Sequence, residues 1–138
     1  MDPYVTPATA DDSGHGGPRI LIGAGPARLV GDEPVQLGGL GLGPTPHDLV
    51  AAGVAACTTQ TLRLYAKRKD WPLGAVHVEV THARKAGDQP AETFNRRIRL
   101  GGDLTDEQRA RLMEIADMCP IHRLLTAGAR TVTKAAGG

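Results

Sequence analysis

The stretch TPHDLVAAGVAACTTQTLRLYAKRKD, residues 45–70, constrains this chain more than any other. Thr45 can cap a helix, Pro46 suits the first helical position, and Asp48 completes a capping box. The pattern predicts a helix from Pro46 to about residue 70, a rod of about 37 Å. From Leu49 to Cys57 no side chain is polar, and a helix that is apolar on every side has to be buried on every side. The second half is amphipathic, with Leu62, Leu64 and Tyr65 set among Arg63, Lys67, Arg68 and Lys69. Those cations suit the negative end of the helix dipole, and Trp71-Pro72 stops the helix. A chain of 138 residues is expected to form one domain, residues 1–138. With one Phe, one Trp and two Tyr, its core must come from Leu, Val, Ile and Ala. Enclosing an all-apolar helix in so small a core is difficult, and a second copy of the chain would solve it.

The flanking segments read as strands and shorter helices. Tyr4 to Thr9 is a candidate edge strand, followed by a turn at DDSGHGGP. RILIG (19–23) and ARLVG (27–31) are short strands, and the glycine-rich DEPVQLGGLGLGP (32–44) is a loop. Its GGLGLG matches neither the dinucleotide fingerprint nor a P-loop, which ends in Gly-Lys-Ser/Thr. After the long helix, Val76, Val78 and Val80 alternate with His77, Glu79 and Thr81, the period of a half-buried strand. FNRRIRLGG (94–102) places Phe94, Arg96, Ile98 and Leu100 on one side, and the two strands form a hairpin around the turn AGDQPAE. Thr105 to Gln108 is a second capping box and opens a helix over 106–117. IHRLLTAG is a short helical turn ending at Gly128, and RTVTKA (130–135) reads as a last strand. Strands, a long helix, a hairpin and further helices make an α+β fold.

Sixteen Lys and Arg against fifteen Asp and Glu leave a net charge of +1. That balance argues against a nucleic-acid binder, which needs a basic surplus on one face, and gives no reason to expect a membrane surface as partner. No apolar run approaches the roughly 20 residues of a membrane-spanning helix. The start MDPYVTPATADDSGHGG lacks the basic and apolar regions of a secretory signal. The expected compartment is the cytosol, where structural disulfides are rare.

Only two cysteines occur, Cys57 in AAGVAACTTQ and Cys119 in DMCPIH. If Pro120 opens a helical turn, Cys119 is its N-cap, where free N–H groups and the dipole lower a thiol pKa. Cys57, mid-helix among apolar neighbours, is raised by desolvation unless another segment brings it a cation, for which arginine is the natural supplier. Both thiols can instead be inert core residues. A zinc set of Cys57, Cys119, His122 and His47 is a weaker alternative, because Pro120 and a helical start make Cys119 and His122 a poor pair. The lack of Cys-x-x-Cys argues against a thioredoxin-type site.

GGLGLGPTPHDLVAAGVAACTTQTLRLYAKRKDWPL and then FNRRIRLGGDLTDEQRARLMEIADMCPIH resemble the OsmC/Ohr family of thiol peroxidases, over residues 32 to about 133. The proline before the central helix, the apolar helix bearing the first cysteine and the A-D-x-C-P segment occur in that order. The CPIH ending is closer to the broad OsmC-like branch than to the Ohr branch. The resemblance implies an OsmC-like α+β fold, an intertwined homodimer with two sites at its interface, and no cofactor or metal. It implies that Cys57 attacks a hydroperoxide, organic or hydrogen peroxide, to give a sulfenic acid. Cys119 then resolves it as a disulfide, and a lipoyl-type or other dithiol reduces that bond. It also implies an activating acid and arginine. The family's Glu falls at His47, and the adjacent Asp48 takes the acidic role; nine residues of helix put it about 13 Å along the axis from Cys57, so it would serve the partner's Cys57. Arg19, after a Gly-Gly-Pro turn, is the candidate arginine, with Arg28 its rival. The apolar Leu49, Val50 and Val54 favour an organic substrate. A redox-sensing or thiol-binding protein without efficient turnover is the alternative, and a structural dimer domain with incidental cysteines is a third.

Overall fold

The computed structural model describes residues 6–137. The chain parts into two compact units, Met1–Val50 and Ala51–Gly138. The first holds a three-stranded antiparallel sheet of β1 (Ala8–Asp12), β2 (Ile20–Ala24) and β3 (Ala27–Gly31), in that order. Of the expected first strand, Tyr4 and Val5 lie outside the described residues. The strand itself runs further than expected and takes up Asp11 and Asp12, which pair with Leu21 and Ile20. All five β1 residues are exposed, so it carries no burial alternation by which a sequence reading could fix its end.

The glycine-rich loop after β3 is organised by Asp32. This buried carboxylate accepts hydrogen bonds from the N–H groups of Glu33 (2.8 Å), Leu40 (3.1 Å) and Leu42 (3.2 Å). A Cβ at Gly39 would lie 1.9 Å from the Glu33 carbonyl oxygen, and one at Gly43 1.9 Å from that of Val30. The glycines therefore let the loop fold back on β3, and a 3-10 turn at Val35–Leu37 completes it.

Helix α1 spans Pro46–Lys69 and starts as the sequence predicts. The Asp48 carboxylate accepts the Thr45 N–H, and Thr45 Oγ1 accepts the Asp48 N–H, both at 3.0 Å. Its buried residues are Val54, Thr58, Leu62 and Ala66, one stripe at four-residue spacing. The all-round burial expected of its first half is met on that stripe only: Val50, Ala52 and Ala56 are exposed within a single chain. The physical reason is that this chain lays its apolar core against one side of the helix.

That core lies in the second unit. Strands β4 (Leu73–Arg84) and β5 (Glu92–Gly102) form the expected hairpin, with Val76 opposite Leu100, Val78 opposite Ile98 and Val80 opposite Arg96. Helix α2 (Asp106–Ala116) opens with the Thr105–Gln108 capping box, and α3 (Pro120–Ala127) has Cys119 as its N-cap and Pro120 in its first turn. Leu62 and Ala66 pack with Leu73, Leu104, Leu112, Ile115 and Ala116. Two arginines tie the helices to hairpin carbonyls. Arg63 donates to Leu73 O (2.8 Å) and to Gly74 O, and Arg109 to Leu100 O (2.7 Å) and Gly102 O (2.9 Å). The last strand expected over 130–135 does not form; these residues have no regular structure. Val132 is 70% exposed, so the segment buries no face that would fix it to a sheet.

Candidate active site at the paired thiols

Cys57 is half-buried on α1 and Cys119 is fully buried at the head of α3; both are free thiols. Helix α2 ends at Ala116 because Pro120 cannot continue it. The intervening turn is closed by the Cys119 N–H bonding to Ala116 O at 3.3 Å. From there the Cys119 sulfur accepts the His122 N–H at 3.5 Å. Thr58 lies on the buried stripe of α1, so the preceding Cys57 faces the edge of the same packed surface, near enough to Cys119 for each thiol to shift the other's acidity. Sixty-two positions of sequence (119 minus 57) are thus closed into one site.

The two sulfurs are driven apart in acidity. Burial pushes the Cys57 thiol up, and donation to Cys119 raises it further, against smaller opposing bonds from the Ile121 N–H and the Thr61 hydroxyl. Burial also pushes the Cys119 thiol up, but the bond from Cys57, the His122 and Ile121 N–H groups and the Thr58 hydroxyl outweigh it, so its pKa is lowered. This is the order that the N-cap position implies. Because each thiol acts on the other, the first proton belongs to the pair.

Asp48, Arg19 and Arg28 lie in the first unit, each with a local role. Asp48 forms the capping box of α1. Arg19 acts electrostatically on Asp32. Arg28 donates to the Ala27 carbonyl at 3.0 Å. Among the described residues, no three or more His, Cys, Asp or Glu side chains gather in a way that could hold a metal ion.

Arg96 is the site residue that sequence reading passed over. Its guanidinium, on a side chain 12% exposed, reaches Thr58 Oγ1 (3.1 Å), Ala116 O (3.0 Å) and Asp117 Oδ1 (2.7 Å). A signal was present: Arg96 occupies an inward position of β5 between Phe94 and Ile98, where an unpaired charge is costly.

A cavity of about 960 Å³ has in its wall Thr61, one helical turn beyond Cys57, and Pro120, next to Cys119. Leu64, Ile115, Met118 and Pro120 make it mainly apolar, with Arg68 and Arg111 at its polar margin.

An α+β chain with two facing thiols beside an apolar cavity defines a class of thiol-bearing proteins. The chain belongs to the OsmC-like protein family, whose model matches residues 39–134. The fold is shared with solved structures at low identity. An OsmC-like protein from Mycoplasma pneumoniae is 18% identical with a TM-score of 0.74, over 91% of this chain and 89% of that one. A Psychrobacter arcticus protein described as a putative osmotic stress induced and detoxification response protein is 20% identical with a TM-score of 0.71, over 86% of each. An organic hydroperoxide resistance protein OsmC from Legionella pneumophila is 23% identical with a TM-score of 0.68, over 91% of each. No curated protein matches the sequence significantly.

Proposed function

We propose that this protein is a thiol peroxidase that reduces organic hydroperoxides. The observation that carries the reading is that Cys57 and Cys119, 62 positions apart, come near enough to shift each other's acidity, with a mainly apolar cavity next to residues that flank them. The names of the Legionella protein and of a Bacillus subtilis organic hydroperoxide resistance protein agree with it. Cys57 is the peroxidatic residue, since it is half-buried whereas Cys119 is enclosed. Its thiolate attacks the distal peroxide oxygen, the O–O bond breaks, and the alkoxide leaves as an alcohol after taking a proton. The Cys57 sulfenic acid is then attacked by the Cys119 sulfur; the S–O bond breaks, water leaves and a disulfide forms. An external dithiol of the lipoyl type restores both thiols by exchange. No cofactor enters the cycle, and hydrogen peroxide is a poorer fit to the apolar wall.

With burial holding the Cys57 thiol up, turnover needs a cation beside it. Arg19 fills that role and Asp48 orients it, both supplied within a homodimer of single OsmC-like domains in the cytosol. The exposed Val50, Ala52 and Ala56 of α1 support such a dimer. The test is intact mass after one equivalent of cumene hydroperoxide, with peroxide followed in parallel. Loss of two hydrogens mapped to Cys57–Cys119, peroxide consumption and recovery with dihydrolipoamide are the expected results. Unchanged mass with persistent peroxide overturns the reading. The raised Cys57 thiol also favours a second one, a redox sensor that closes its disulfide without efficient turnover; disulfide formation with slow steady-state peroxide loss distinguishes it.

A further inference from the structure

We propose that Arg96 is a positioning residue for the thiol pair: its guanidinium fastens the turn that carries Cys119 to the turn of α1 that carries Cys57, and it keeps the Thr58 hydroxyl ready to donate to the Cys119 sulfur. The roles of the two sulfurs rest on the peroxidase reading; the clamp rests on geometry. Arg96 comes from β5, yet its acceptors are Thr58 on α1 and Ala116 and Asp117 at the end of α2. The Ala116 carbonyl is shared, because it also accepts the Cys119 N–H. The guanidinium therefore sits one atom behind the bond that sets the Cys119 turn, and it answers the negative end of α2. An apolar side chain opposite Val80 would fill the same inner face without tying these segments together.

Thr58 links the clamp to the sulfur. Its single proton goes to Val54 O at 2.7 Å, and the same hydroxyl contributes to holding the Cys119 thiol pKa down. Arg96 donates into an oxygen lone pair and so does not compete for that proton, which can turn from Val54 O to the sulfur. When Cys119 is a thiolate, the charge-assisted bond to sulfur is the stronger choice. The charged and titratable groups around Cys119 are Cys57 from α1, Arg96 from β5, and Asp117 and His122 beside it in sequence. Asp117 is held by Arg96 at 2.7 Å and lies 3.9 Å from His122 Nε2.

The experiment uses diamide, so that it does not depend on peroxide chemistry. Diamide adds to the half-buried Cys57, and the Cys119 sulfur displaces it. The two thiols lose two electrons and two protons to the diazene nitrogens, giving a disulfide and a hydrazine. Arg96→Met is expected to slow the displacement by about tenfold or more, with partial rescue by Arg96→Lys. In a Cys57→Ala background, thiolate ultraviolet absorbance against pH is expected to move to higher pH in Thr58→Val and to stay in place in Thr58→Ser. A role in folding alone would not separate these two variants. If Arg96→Met does not fold, the Thr58 pair decides. Disulfide closure at the wild-type rate in Arg96→Met, or coincident titrations of Thr58→Val and Thr58→Ser, overturns the proposal. Slowed closure in a protein that consumes no peroxide leaves the clamp standing and removes the peroxidase reading.

Discussion

Two thiols that shift each other's acidity are not equivalent, and their difference dictates what each substitution does. Cys57→Ser is expected to abolish peroxide consumption, because the more accessible of the two thiols is gone. Cys119→Ser retains the first oxidation and lacks the resolver, so Cys57 accumulates sulfenic and then sulfinic and sulfonic acid; mass spectrometry of the peroxide-treated variant reads the added oxygens. A different acid matters to stability. Asp32 is held below the usual carboxylate range, chiefly by the Glu33 N–H, against a raising effect of burial, and with help from Leu42, Leu40 and the Arg19 charge. A depressed folded-state pKa gives stability that is present above the unfolded value and is lost as pH falls through the folded one. Thermal unfolding across acidic pH is therefore expected to show a decline that Asp32→Asn flattens, at the cost of a lower melting temperature near neutrality.

Elements in this chain are set by local signals and held by a few buried contacts. Leu62 on α1 and Leu112 on α2 are both 0% exposed. Leu62→Ala should destabilise by about 2–5 kcal/mol in denaturant titration, from lost transfer energy and the cavity left behind. Gly102 is fixed for a different reason. Its φ is +97° and a Cβ there would lie 2.2 Å from the Pro72 carbonyl oxygen. Gly102→Ala is expected to lower the denaturation midpoint by deforming the end of β5, and hairpin amides should lose hydrogen-exchange protection first. Both capping boxes and the N-cap position of Cys119 were legible because each involves residues three apart. The missing strand at 130–135 shows the converse: its alternation is a weak pattern with one large apolar residue, and pairing needs a neighbour that the pattern does not contain.

For the whole molecule the open face of α1 is the leading feature. A chain that exposes Val50, Ala52 and Ala56 on its central helix is expected to sediment as a dimer. Ala52→Glu should shift it toward one chain and reduce peroxide turnover, since a charge cannot be buried there unpaired. Much of this fold was written locally. Local residue patterns set the start of α1 at Pro46, the hairpin with its inward Val76, Val78, Ile98 and Leu100, and the break at Pro120, because capping, alternation and proline stereochemistry act over a few residues. The sequence also flagged the two cysteines. Long-range packing alone brings the two thiols near each other, sets Arg96 against Thr58 and the end of α2, and lets Asp32 gather the glycine loop. Those contacts join residues far apart in the chain, and their geometry follows from how helices and hairpin pack, which no short-range preference encodes.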